Sequence, residues 1–91
     1  MTEDLPSVIR SRLQSALDPV FVDVRDDSHL HAGHAGAREG GHFHVVIAAE
    51  RFRGLAPLVR HRQVYAALGD LLPGRIHALS IDAQLPENPG P

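Results

Sequence analysis

Cysteine is missing from this sequence, and so is lysine. Without cysteine there are no disulfides, no thiolate metal site and no cysteine nucleophile supplied by this chain alone. No apolar stretch approaches the roughly 18 residues of a membrane-spanning helix. The first residues lack the basic-then-apolar pattern of a signal peptide. The expectation is a soluble cytoplasmic protein. The chain has 91 residues, enough for one domain. A domain this short buries only about 60–65% of the surface its unfolded form exposes, so its core is modest. All nine basic residues are arginine, a usage that fits a GC-rich genome as well as a functional demand.

The formal net charge of −2 argues against a generic nucleic-acid binder, but it is unevenly distributed. Residues 51–75 carry five arginines (Arg51, Arg53, Arg60, Arg62 and Arg75) against one acid, Asp70; the remainder carries four arginines against ten acids. A basic sector on an acidic body suits an anionic partner surface or a phosphate backbone, and equally a solvated helix rim.

Hydrophobic spacing gives the element order. Thr2 and Asp4 are candidate N-caps, and Leu5, Val8, Ile9, Leu13, Ala16 and Leu17 share one half of a helical wheel. Asp18-Pro19 ends that helix. Val20 to Asp26 alternates as a strand, with Val20, Val22 and Val24 on one face. Residues 27–41 are rich in Gly, Ala and polar residues without a period, and loops of that length are usually functional or mobile. His42 to Ala49 is a second strand with Phe43, Val45 and Ile47 on one face. A connector with Phe52, read as a short helical turn, leads to a helix opened by Pro57 at its favoured first position and closed at Pro73-Gly74. On its wheel, Leu58, Val64, Tyr65, Leu68, Leu71 and Leu72 form one apolar arc, with His61 near the centre and Arg60 and Arg62 on the rims. Ile76 to Ala83 is the third strand, with His77, Leu79, Ile81 and Ala83 alternating. The proline-rich residues 85–91 have no evident means of packing and are expected to be disordered after a domain spanning 1–84.

The order α-β-β-α-β predicts an α+β fold. The first two strands pair antiparallel, and the crossover helix brings the third in parallel. The result is a three-stranded mixed sheet with both helices on one face and the other face poorly covered.

Seven histidines are many for this length. His29, His31 and His34 form an HxHxxH cluster in the long loop. Neutral imidazole binds borderline metals, whereas solvated loop side chains are the plain alternative. The spacing is not that of a helical zinc site, and no cysteine completes a quartet. His42 and His44 share the strand face opposite Phe43, and read as partly exposed strand residues or as members of an open-face site. His61 reads as a core histidine whose polar atoms need hydrogen bonds. His77 opens the last strand just after a turn, where ligands are often presented.

These residues carry a resemblance. Asp27-Ser28 precedes a histidine-bearing loop, followed by His42-Phe43-x-Val45, Glu50-Arg51-Phe52-x-Gly54-Leu55, Arg60-His61-Arg62-x-Val64-Tyr65 and Ile76-His77-Ala78-Leu79. From about residue 5 to residue 84 the chain resembles BolA-like proteins of the histidine-loop type. The resemblance implies a class II K-homology-like fold. It also implies partnership with a monothiol glutaredoxin of the Cys-Gly-Phe-Ser type, with a [2Fe-2S] cluster shared between them in iron–sulfur cluster assembly and trafficking or in iron sensing. The glutaredoxin and its glutathione would supply thiolates. This chain would supply His77 and a loop histidine, His31 first and His34 next. Arg60, Arg62 and Arg53 would dock the partner, since arginine pairs with the carboxylates of glutathione.

The alternative is a nucleic-acid-binding transcriptional regulator of morphology and stress response, contacting phosphates through Arg51, Arg53, Arg60, Arg62 and Arg75. K-homology domains grip nucleic acid with a GxxG loop, and the corresponding position here reads Gly54-Leu55-Ala56-Pro57. Enzyme chemistry, such as an acid–base pair of His31 and Asp27, lacks a nucleophile motif, a phosphate loop or a complete metal site. Zinc or nickel bound by the loop alone would be held with modest selectivity.

Overall fold

The computed structural model describes residues 4–27, 41–72 and 74–90. Helix α1 (Leu5–Leu17) is followed by strand β1 (Phe21–Asp26) and strand β2 (Gly41–Ala48). A 3-10 turn (Glu50–Phe52) leads into helix α2 (Pro57–Leu68), a second 3-10 turn (Gly69–Leu71) and strand β3 (Ile76–Gln84). The sheet order is β1-β2-β3, with β1 antiparallel and β3 parallel to β2. This is the α+β architecture that the sequence predicts. No helix among the described residues is long and apolar enough to cross a membrane.

Helix α1 follows its wheel. Ile9, Leu13 and Leu17 are buried, one turn apart, and Leu5 and Val8 pack against the same core. Ala16, expected on that face, is exposed. Asp4 occupies the N-cap position without a side-chain cap bond. Asp18 ends the helix in the left-handed region at φ 49°, a conformation that Asp tolerates better than most residues. Helix α1 packs against α2 and β1, and its buried residues join Val24, Phe43, Val45, Phe52, Val64 and Ile76 in one cluster. Both helices therefore bury their apolar faces on the same side of the sheet.

Helix α2 differs from its predicted wheel. Its buried residues are Val64 and Leu68, followed by Leu71 in the 3-10 turn. Leu58 is 61% exposed and Tyr65 43% exposed. His61, placed at the arc's centre by the wheel, is only half-buried. The inward arc centres on Val64 and takes in Arg60, one turn earlier. The Arg60 guanidinium donates to Leu55 O at 2.9 Å and to Ala83 O at 3.1 Å. An arginine thus faces inward because two backbone carbonyls outside the helix satisfy it. The helix also ends early: Gly69, a weak helix former, turns the chain into 3-10 geometry. Pro73 lies outside the described residues.

The face of β2 away from the helices is better shielded than its polar residues suggest. Val46 is 1% exposed and Ala48 0%. Val46 lies between Asp23 and Asp82, and Ala48 between Phe21 and Gln84. Residues 85–90 do pack, contrary to expectation: Leu85 touches the core, and the Gln84 amide group donates to Gly90 O at 2.6 Å and accepts from Gly90 N at 3.0 Å. Glu87 pairs with Arg53, which also holds Glu50. Hydrogen bonds to Glu50 and Glu87 raise the Arg53 pKa above the ordinary arginine value, and Arg53 lowers that of Glu87. Residue 91 lies outside the described residues. At the opposite end Arg12 of α1 grips Asp70, with Nη2 to Oδ2 at 3.1 Å, which holds the Asp70 carboxyl below its usual pKa.

Candidate functional site

The predicted alternation of β3 breaks at its start. Phe43 faces Leu79, Val45 faces Ile81 and Ile47 faces Ala83, all on the core side. Continued unbroken, that phase would put His77 opposite Gly41 and into the core. Instead Gly41 faces Ile76 and His42 faces Ala78. One extra residue, His77, is inserted between them. This is a bulge, a device that bends a strand and re-aims a side chain. Ile76 takes the core slot and is fully buried, and His77 is exposed. The sequence pattern His77-Leu79-Ile81-Ala83 gives no sign of this shift, because the register of the neighbouring strand decides it.

Gly41, beside the bulge, makes room for the Phe43 ring. A Cβ there would lie 2.2 Å from Phe43 Cε2 and 2.6 Å from Cζ. The ring of Phe43 is buried in the core cluster, so a shift of the ring disturbs its packing. Gly41→Ala is therefore expected to destabilise the domain by about 1–3 kcal/mol, the usual cost of overpacking. A urea midpoint matching that of the unmodified chain would show that the ring yields after all.

The outward-turned His77 meets His42. Their ring centroids are 5.3 Å apart, with planes tilted by 47°. His42 is half-buried on the middle strand, and its carbonyl accepts from Asp27 N at 2.7 Å. Gly41 N donates to Arg75 O at 3.1 Å. Asp27 and Gly41 bound the stretch 28–40, so both ends of the histidine-bearing segment are fastened beside the His42–His77 pair. His29, His31 and His34 lie outside the described residues. A shallow cavity of about 220 Å³ lies next to the pair, lined by Asp27, His42, Phe43, Ala78, Leu79 and Ser80. His44, one alternation along the same face, is directed elsewhere: its Nδ1 lies 3.0 Å from Ser80 Oγ, within hydrogen-bonding distance. Sequence reasoning placed His42 on this face but missed its contact with His77. The signal that could have found it is the shared end of two neighbouring strands.

Among the described residues no group of three or more His, Cys, Asp or Glu side chains could hold a metal ion. The pair offers imidazole nitrogen only, and an iron or similar ion would need further donors from outside these residues.

The arginines divide by environment. Arg60 and Arg53 are engaged within the chain, on carbonyls and on two carboxylates respectively. Arg51, Arg62 and Arg75 are exposed. Arg62 shares the outer surface of α2 with Leu58 and Tyr65, four residues before and three after it. Gly54, in the expected position of a K-homology grip loop, adopts φ 80°. That left-handed geometry suits glycine and sets the turn into α2.

Comparison with known proteins is consistent across sequence and structure. The family model described as BolA-like protein matches residues 13–88. The chain is 44% identical over 87 residues to BolA-like protein 1 of Bos taurus, covering 91% of this chain and 63% of that protein. It thus spans less than two thirds of that relative's length. It is 40% identical over 73 residues to the DNA-binding transcriptional regulator BolA of Escherichia coli (strain K12), covering 80% of this chain and 68% of that one. Its structure matches BolA1 from Arabidopsis thaliana with a TM-score of 0.82 at 40% identity, over 98% of this chain and 100% of the other. None of these names denotes a catalytic activity. With the element order, the sheet topology and the sequence match in agreement, the chain belongs to the BolA-like protein family.

Proposed function

We propose that this chain is the partner of a monothiol glutaredoxin and shares a [2Fe-2S] cluster with it, in iron–sulfur trafficking or iron sensing in the cytoplasm. The observation that carries this reading is the bulge at Ile76–Ala78, which turns His77 out of the core at the point where the histidine-bearing segment is anchored. The donor chemistry fits half a coordination sphere. The chain has no cysteine, so it cannot offer the usual thiolates. Two imidazoles can replace two thiolates on one iron of such a cluster. His77 would be one ligand. His31 would be the other, with His34 next in order. His31 follows Asp27 by four positions in the sequence. When bound, the cluster supplies one-electron redox chemistry, at a potential raised by histidine ligation. The chain's own task is to hold and orient two nitrogens.

Arg62 is the arginine best placed to dock the partner, because Arg53 and Arg60 already have internal partners. Leu58 and Tyr65 beside it add exposed apolar area, a composition suited to an interface core with an arginine anchor. Anaerobic mixing of the chain with a cluster-loaded monothiol glutaredoxin should change the visible spectrum of the cluster. A spectrum equal to the sum of the separate proteins would sink the proposal.

The name of the Escherichia coli relative favours a second reading, a nucleic-acid-binding regulator of morphology and stress response. With Arg53 and Arg60 engaged internally, Arg51, Arg62 and Arg75 are the arginines of the basic sector left for phosphates. Three such contacts would give a log K against log salt slope of roughly −2.7. A gel shift that weakens with that slope would support this reading, and no shift near physiological salt would leave any regulatory effect indirect.

A further inference from the structure

We infer that His42 is a positioning residue for His77, its ring being the surface that fixes the direction of the His77 imidazole. What His77 does rests on the cluster-sharing reading above; how His77 is held rests on geometry alone. The bulge leaves His77 without a cross-strand register partner, since Gly41 faces Ile76 and His42 faces Ala78. An exposed side chain in that situation keeps its rotamer freedom unless a neighbour removes it. The His42 ring is that neighbour. Its centroid lies 5.3 Å from that of His77 at an interplanar angle of 47°, inside the range of favourable tilted ring pairs.

The platform is itself well fixed. His42 stands on the middle strand, bonded through its carbonyl to Asp27 N at 2.7 Å, and the preceding Gly41 N is bonded to Arg75 O at 3.1 Å. His44 does not compete for the position, because its Nδ1 is bonded to Ser80 Oγ at 3.0 Å. A freely rotating imidazole offers its nitrogen in many directions. The ring contact narrows these before any partner arrives, which is the physical content of a preorganised ligand.

His42→Ala and His42→Phe in the full chain test this. In the isolated protein, the rate of diethyl pyrocarbonate modification at His77, mapped by mass spectrometry, reads how openly that ring is presented. His42→Ala should raise the rate by roughly two- to tenfold, as expected for loss of one ring contact. His42→Phe, which restores a ring without a ligating nitrogen, should return it towards the original value. In the mixture with a cluster-loaded monothiol glutaredoxin, His42→Ala should shift and broaden the visible bands, and His42→Phe should restore them. Unchanged His77 reactivity in His42→Ala overturns the inference. So does loss of the cluster bands in both variants, which would make His42 a ligand. If the unmodified chain produces no spectral change, the cluster reading fails, and the modification rates alone decide the positioning role.

Discussion

His77→Ala should abolish the spectral change that the unmodified chain produces with a cluster-loaded monothiol glutaredoxin, and it should leave the fold almost untouched. The two effects separate because of where His77 stands. It is exposed, it lies outside the core cluster, and its ring contact is with His42. Exposed positions of this kind usually change stability by less than about 0.5 kcal/mol. On the proposed cluster-sharing function, by contrast, loss of one of two nitrogen donors would remove half of what this chain brings to the iron. His77→Cys sharpens the test. A thiolate is the ordinary ligand of iron–sulfur clusters, so this variant should bind the cluster and give bands closer to those of an all-thiolate site. Visible circular dichroism of the mixture reads both outcomes. If His77→Ala still produces the full change, His77 is not the ligand and the bulge has another purpose.

The largest loss of stability is expected from Phe52→Ala. Phe52 lies in a three-residue 3-10 turn, yet it is fully buried and belongs to the central cluster. It ties the connector between β2 and α2 into a cluster that draws residues from both helices and all three strands. Truncating a buried Phe costs about 3–5 kcal/mol. A domain of this size has roughly 5–14 kcal/mol in total, so the variant loses about a fifth of it at the least. Thermal unfolding followed by far-ultraviolet circular dichroism should move down by well over 10 °C, at ~4–8 °C per kcal/mol for a small domain. Phe52→Leu, which keeps most of the volume, should cost less than about 1.5 kcal/mol. A drop of only a few degrees in Phe52→Ala would mean that the cluster collapses into the vacated space.

Periodicity made the order of elements legible because each main element follows one local rule. Ile9, Leu13 and Leu17 repeat at one turn, and Phe43, Val45 and Ile47 alternate, as the structure has them. What stayed hidden depends on partners remote in sequence. Arg60 turns inward for Ala83 O, 23 positions away, and no local pattern announces that bond. Once it turns, the arc of α2 rotates and Leu58 and Tyr65 come to the surface. Arg53 is neutralised in part by Glu87, 34 positions on, which also draws in the tail. The bulge at His77 is invisible for the same reason, since it exists only as a mismatch between two strands. The candidate site was legible as residue types, through the resemblance to BolA-like proteins. Its central contact, His42 with His77, was not.

The position of β2 between two paired neighbours has a consequence for timing. Amides in a strand bonded on both sides exchange with solvent chiefly when the whole domain opens, whereas edge strands and ends fray at lower cost. β2 is the middle strand of the sheet and carries His42. The ring backing His77 therefore stands near the start of a strand that is bonded on both sides. A ring on β1 or β3 would inherit the fraying of an edge. On β2 it has a bonded neighbour strand on each side.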